Sequence, residues 1–209
     1  VNNIKIVTDH IQKLSIPRDQ YDRPTCLAFA ASDINQFNND LQDPLSVEFI
    51  IAALAYDYKI HIQSGIGTSA IKNVIAQPGQ VQESICHYGL QITNYPAVSR
   101  NSKLYRSNLT INNKLSFDEA VELLIKRGPI VLGFVLNTLF FKPPANNVID
   151  NTCPEKIANH AVTAVGVYED SDNNQYIKIK NSWGVKWGVQ GCALVTEAFY
   201  NERLLALLY

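Results

Sequence analysis

Residues 16–31 read Ile-Pro-Arg-Asp-Gln-Tyr-Asp-Arg-Pro-Thr-Cys-Leu-Ala-Phe-Ala-Ala, and Cys26 within this stretch organises the rest of the chain. Pro24 and Thr25 stand directly before an apolar run with helical spacing, Leu27, Ala30, Ala31, Ile34 and Phe37. A proline and a small hydroxyl residue are helix-start signals, so a helix is expected from here to about Asn38, ended by Asn38-Asn39-Asp40. Cys26 then falls in the first turn, where unpaired N–H groups and the positive dipole end favour a thiolate. A free cysteine titrates near 8.5, so only about 3 % is thiolate at neutral pH. The thiol still needs a base.

His160 is the strongest candidate for that base. It lies in Asn-His-Ala-Val-Thr-Ala-Val-Gly-Val-Tyr (159–168), a valine-rich, strand-like run. The next strand, Gln-Tyr-Ile-Lys-Ile-Lys (175–180), alternates cleanly and leads into Asn181-Ser182-Trp183-Gly184. A histidine and an asparagine thus follow Cys26 by 134 and 155 residues, the order and spacing of papain-type proteases. Thr-Cys-Leu-Ala-Phe-Ala resembles the cysteine helix of that family, and Asn-His-Ala-Val resembles its histidine strand. Lys-Asn-Ser-Trp-Gly-Val-Lys-Trp-Gly-Val-Gln-Gly (180–191) is similar to its asparagine–tryptophan segment. Gln20, six residues before Cys26, sits where the family keeps its oxyanion-hole glutamine. The resemblance covers about residues 16–75 and 116–195; the missing family disulfide, secretion signal and start methionine point to a bacterial-style member.

The chemistry implied is acyl transfer. Cys26 attacks the scissile carbonyl, and His160 holds it as thiolate and later protonates the leaving amine. Asn181 fixes the far ring nitrogen, Trp183 shields that bond, and Gln20 with the Cys26 N–H binds the oxyanion. Taken singly, Cys26 or Trp183 would be core, His160 a satisfied core histidine and Asn181 a turn residue. Their joint occurrence with Gln20 reverses that reading. His10, His61 and His87 have no such companions, and no metal-ligand spacing or organic cofactor is expected.

For substrate binding, Ser64-Gly65 stands where papain relatives carry a Gly-Gly pair that presents its backbone to an extended peptide. Ile66, Gly67 and Ala161 match wall positions of the pocket that selects the substrate's second residue; its far wall is unassigned. Leu27 replaces the tryptophan that commonly follows the nucleophile, and Asn159 replaces an aspartate before the histidine, removing a negative charge beside the imidazolium.

Composition bounds the rest. With 209 residues, 46 % apolar and a net charge of −1, the chain is globular and offers no case for nucleic acid or membrane as partner. The first fifteen residues lack the apolar core of a secretion signal, and no apolar run of 18 exists. Without methionine and with valine first, the chain reads as excised from something longer. Family members that are secreted bridge the positions held here by Arg23 and Ile62. Both halves are missing, so a reducing compartment is expected, with a Cys153–Cys192 pair as the alternative.

Ser46, with Glu48 behind it, reads as the start of a second helix, and Ser116-Phe-Asp-Glu119 as a capping box for one closing at Arg127-Gly128. Pro129–Leu136 reads as a buried strand and 140–154 as a long loop, while 80–115 carries no clear periodicity. Helices cluster early and strands late, which argues for an α+β fold. The resemblance makes it a papain-like two-lobe domain over 1–209: a helical lobe at about 20–110, and a β-rich lobe at about 1–19 and 111–209. The function expected is a cysteine endopeptidase acting on protein or peptide. As a bacterial effector or toxin module in a bacterial or target-cell cytosol, it would have an inhibitor or immunity protein as partner. The alternatives are deamidase or transpeptidase chemistry on the same triad, or an inactive binding module.

Overall fold

The computed structural model describes residues 4–63 and 65–209. After strand β1 (Lys5–Asp9) and a 3-10 turn (Ile11–Lys13) come four helices: α1 (Cys26–Asn38), α2 (Val47–Asp57), α3 (Thr68–Ala76) and α4 (Tyr95–Asn101). The second half alternates more. It runs β2 (Ile111–Asn112), α5 (Phe117–Lys126), β3 (Ile130–Val135), α6 (Thr138–Phe141) and β4 (Val148–Ile149). It then runs β5 (Asn159–Glu169), β6 (Gln175–Lys180), β7 (Cys192–Thr196), α7 (Glu197–Arg203) and β8 (Leu204–Leu208). The sheet order is β2-β8-β3-β5-β6-β7-β4, with β1 added on β5, so the fold is α+β.

Local chemistry sets the helix starts. The Ser46 hydroxyl accepts from Phe49 N–H at 3.0 Å, and Ser116 and Glu119 form the reciprocal capping box. Thr196 caps α7 by accepting from Phe199 N–H at 3.2 Å. Thr25 is different: it occupies the N-cap of α1 but makes no capping bond, because its hydroxyl is taken by Tyr88 at 2.8 Å.

Two buried clusters hold the molecule. One joins α1, α2 and α3 (Phe29, Ile34, Phe49, Leu54, Ile71) to Val131, Ala161 and Leu208 on the sheet. The other lies on the opposite sheet face, where α5 and α7 bring Phe117, Leu124, Phe199 and Tyr200 against Leu132, Phe134, Val162 and Ile177. Strand β5 is therefore buried on both faces and reads as continuous Val/Ala, without alternation. Its first residues, Asn159 and His160, emerge beside the start of α1.

The loop expected at 140–154 contains the end of α6 and strand β4, and α7 and β8 close the chain. All four cysteines are free, Cys153 and Cys192 included.

Candidate active site

Cys26 opens α1, half-buried, where the backbone of Ala161 and of its own first turn favours charge on the sulfur. Burial is the largest influence and pushes the thiol above its usual value, ahead of these donors. The helix start was expected to favour a thiolate. Packing of α1 against β5 removes the water that would solvate that charge, and this desolvation outweighs the turn's N–H groups.

His160 lies opposite Phe134 in the β3–β5 register and is 7 % exposed. Its Nε2 meets Asn181 Oδ1 at 2.7 Å, and the same oxygen accepts from Ser182 N–H at 2.8 Å. A carboxamide oxygen only accepts, so Nε2 carries the proton and the neutral ring keeps its lone pair on Nδ1. Trp183 covers the ring at 4.7 Å between centroids, and Phe140 meets it edge-on at 5.6 Å. This shell buries the imidazole and lowers its pKa to about 4, with the Asn181 bond pulling the other way. Among the described residues no hydrogen bond joins His160 to Cys26. Burial thus disfavours a charge on the thiol and on the imidazole alike.

Gln20 reaches the site from the loop before α1. Its Oε1 accepts from Ser182 Oγ at 2.7 Å and its Nε2 gives one hydrogen to Arg23 O at 2.7 Å, which leaves the second amide hydrogen for another acceptor. Gln20 N–H also donates to Ser182 O at 2.8 Å, and Gly184 N–H to Arg18 O at 3.1 Å, which ties this loop to the Asn181–Gly184 segment.

The loop has a second anchor that sequence reasoning missed. Arg23 grips Glu48 of α2 through two bonds, at 2.7 and 3.1 Å, and stacks over Tyr88 at 4.7 Å. Glu48 raises the Arg23 pKa further. The Tyr88 hydroxyl donates to Gln20 O at 3.0 Å. Tyr88 lies in the stretch without periodicity, and Glu48 was legible only as a helix-start acid.

On the substrate side, Ser64 lies outside the described residues. Gly65 has φ +102°, which favours glycine, and a Cβ there would meet nothing within 4 Å. Its N–H turns back to Ile62 O at 3.3 Å. Gly67 is the N-cap of α3, and Ile66 packs on the same buried cluster as Cys26. Ala161 faces that cluster from β5. In the sheet register, Gly133 of β3 pairs with Ala161 on one side and with Ala206 of β8 on the other. Directly paired residues share a sheet face, so three small residues form a row beside His160. A Cβ on Gly133 would come no closer than 3.5 Å to Ala206 O, so glycine there reflects space and not crowding.

A cavity of ≈ 840 Å³ lies elsewhere, between β1, the 3-10 turn and β7. Its charged groups already satisfy one another: Asp9 takes Lys178 Nζ at 2.8 Å and the Tyr168 hydroxyl at 2.5 Å. It holds none of Cys26, His160 or Asn181.

Comparison with known proteins bears on the family and the fold. The model of the papain family cysteine protease matches residues 8–203. Cysteine proteinase 3 of Entamoeba histolytica is 30 % identical over 114 residues, 51 % of this chain and 37 % of that protein. Human cathepsin O is 27 % identical over 124 residues, 56 % and 34 % of the two chains, and rat cathepsin Q 26 % over 157 residues, 74 % and 41 %. These matches span 34 to 41 % of the relatives' own length. Among solved structures, the proform of the ragweed allergen Amb a 11 superposes with a TM-score of 0.80 at 18 % identity, covering 100 % of this chain and 66 % of that one. Procathepsin L 3 of Tenebrio molitor gives 0.78 at 20 %, covering 95 % and 67 %. These relatives are eukaryotic, so the bacterial-style and toxin expectations gain no support from them. On its matched residues and its papain-like fold, the chain belongs to the papain family of cysteine proteases.

Proposed function

We propose that this chain is a cysteine endopeptidase working through Cys26, His160 and Asn181. The observation that carries this reading is the short, roofed His160–Asn181 bond on strands packed beside the helix that Cys26 begins. His160 Nδ1 takes the thiol proton as Cys26 Sγ bonds to the scissile carbon. The charge so formed on the carbonyl oxygen is met by the free Gln20 amide hydrogen and the Cys26 N–H. The imidazolium then protonates the leaving amine, and water cleaves the thioester with His160 again as base. Burial disfavours either charge alone, so thiolate and imidazolium form together, as a pair.

The test is labelling by the epoxide that alkylates papain-type thiols, read by intact mass, with a peptide digest beside it. One label on Cys26, none on Cys86, Cys153 or Cys192, and cut backbone support endopeptidase action. An uncut substrate gaining about 1 Da would assign side-chain amide hydrolysis instead.

Gln20→Ala is expected to lower kcat about 100-fold, the usual loss for one oxyanion donor. An unchanged kcat would remove Gln20 from the hole.

The row of small residues Ala161, Gly133 and Ala206 would suit a large apolar side chain on the substrate. Gly133→Leu should lower kcat/KM for peptides bearing leucine or phenylalanine there by about tenfold relative to alanine. A uniform loss across peptides would place this row outside the binding surface.

A further inference from the structure

The face of α1 that carries Cys26 also carries Asp33. Seven residues, about two turns, separate them, with Ala30 between, so the three form one stripe along the helix. That stripe lies against the sheet: Ala30 is 2 % and Asp33 5 % exposed. One Asp33 oxygen accepts from Lys180 Nζ at 2.7 Å, and the other from Thr163 Oγ1 at 2.8 Å. The partners are placed with purpose. Lys180 directly precedes Asn181, Thr163 follows His160 by three residues, and the two pair in the β5–β6 register. A single buried carboxylate on the nucleophile's helix thus grips both strands that carry the base and its orienter.

Stability alone is a poor reason for this pair. An ion pair taken wholly out of water contributes little net, and an apolar pair of similar volume is often as good or better. Burial and the nearby Arg18 guanidinium both disfavour the Lys180 charge, which leaves Asp33 as its compensation. What a charged, two-armed contact provides and an apolar one does not is a fixed register between helix and strands.

We propose that Asp33 is a positioning residue for the reaction: holding Lys180 and Thr163, it sets how the Cys26 end of α1 meets His160 and Asn181. This rests on the Cys26–His160–Asn181 reading above. Its test compares Asp33→Asn, Thr163→Val and the double variant Asp33→Leu/Lys180→Met with the parent chain, by peptide kinetics, epoxide labelling and melting temperature. Asp33→Asn should lower kcat up to about 100-fold, as small misplacements do, with KM little changed. Thr163→Val, which keeps the ion pair, should lose about fivefold in kcat. The double variant should melt near the parent and still turn over as slowly as Asp33→Asn. A double variant with parental kcat, or single variants with unchanged kcat, would overturn the proposal while leaving the triad intact. A folded parent that resists labelling at Cys26 would overturn the triad reading and this inference with it.

Discussion

His160→Ala is expected to abolish peptide cleavage, a loss of about 10⁴-fold or more, and to stop epoxide labelling of Cys26. No other group in the described geometry can take the thiol proton: Asn181 offers only an amide, and burial disfavours a lone thiolate. The variant should fold, because Asn181 Oδ1 keeps its bond from Ser182 N–H at 2.8 Å. The same ring sets the acid limit of the parent enzyme. With its pKa lowered to about 4, the ring is an unprotonated base above that pH, and kcat/KM should fall as pH drops through about 4. Stability follows the same sign. Between the ordinary value of 6.5 and about 4, the unfolded ring binds a proton that the folded ring refuses. Folding free energy therefore falls as pH falls across that window, by about 3 kcal/mol, and His160→Ala should remove that slope. Acid titrations of activity and of melting temperature check both, and an activity limb near 6.5 would contradict the buried neutral ring.

Phe140→Ala should give the largest loss of stability among substitutions near the site. The ring is fully buried and meets His160, Trp183 and Trp187 at centroid distances of 5.6, 5.6 and 5.1 Å. Its carbonyl also accepts from Trp187 Nε1 at 2.8 Å, and its N–H is capped by buried Asn137 at 3.2 Å. Removing a phenylalanine ring from such a cluster costs about 3–5 kcal/mol, roughly a 10 °C fall in melting temperature for a chain of this size. Because Trp183 and His160 lean on it, kcat should also fall about tenfold. Phe141, 45 % exposed on the outside of Trp183, is the control and should cost under about 1 kcal/mol. Equal melting temperatures for the two variants would show that the aromatic roof stands without Phe140.

Much of this was readable in the chain because it depends on near neighbours. The apolar spacing after Cys26 marks α1 to its observed end at Asn38, and Ser46 and Ser116 mark two helices by capping alone. Cys26, His160, Asn181 and Gln20 were legible as a set, and the fold brings Gln20 and His160 to the same Asn181-Ser182 segment. What was not legible depends on tertiary burial. Alternation along β6 suggests a wet face for its lysines, yet Lys180 is 3 % exposed because α1 lies over it and supplies Asp33. The upward push on the Cys26 thiol has the same origin. Gly133 and Ala206 became visible only once β3 and β8 had a register, and Tyr88 only once its loop had a place.

The double-armed contact between Arg23 and Glu48 has a consequence for how this chain matures. Arg23 stands at one of the two positions where a covalent sulfur bridge was looked for, and its contact with Glu48 fastens the oxyanion loop to α2. Such a fastening assembles with the fold itself and needs neither an oxidant nor an isomerase. Reductant should leave catalysis untouched, while salt or loss of the Glu48 charge should loosen the loop. The chain exchanges sensitivity to electrons for sensitivity to ions.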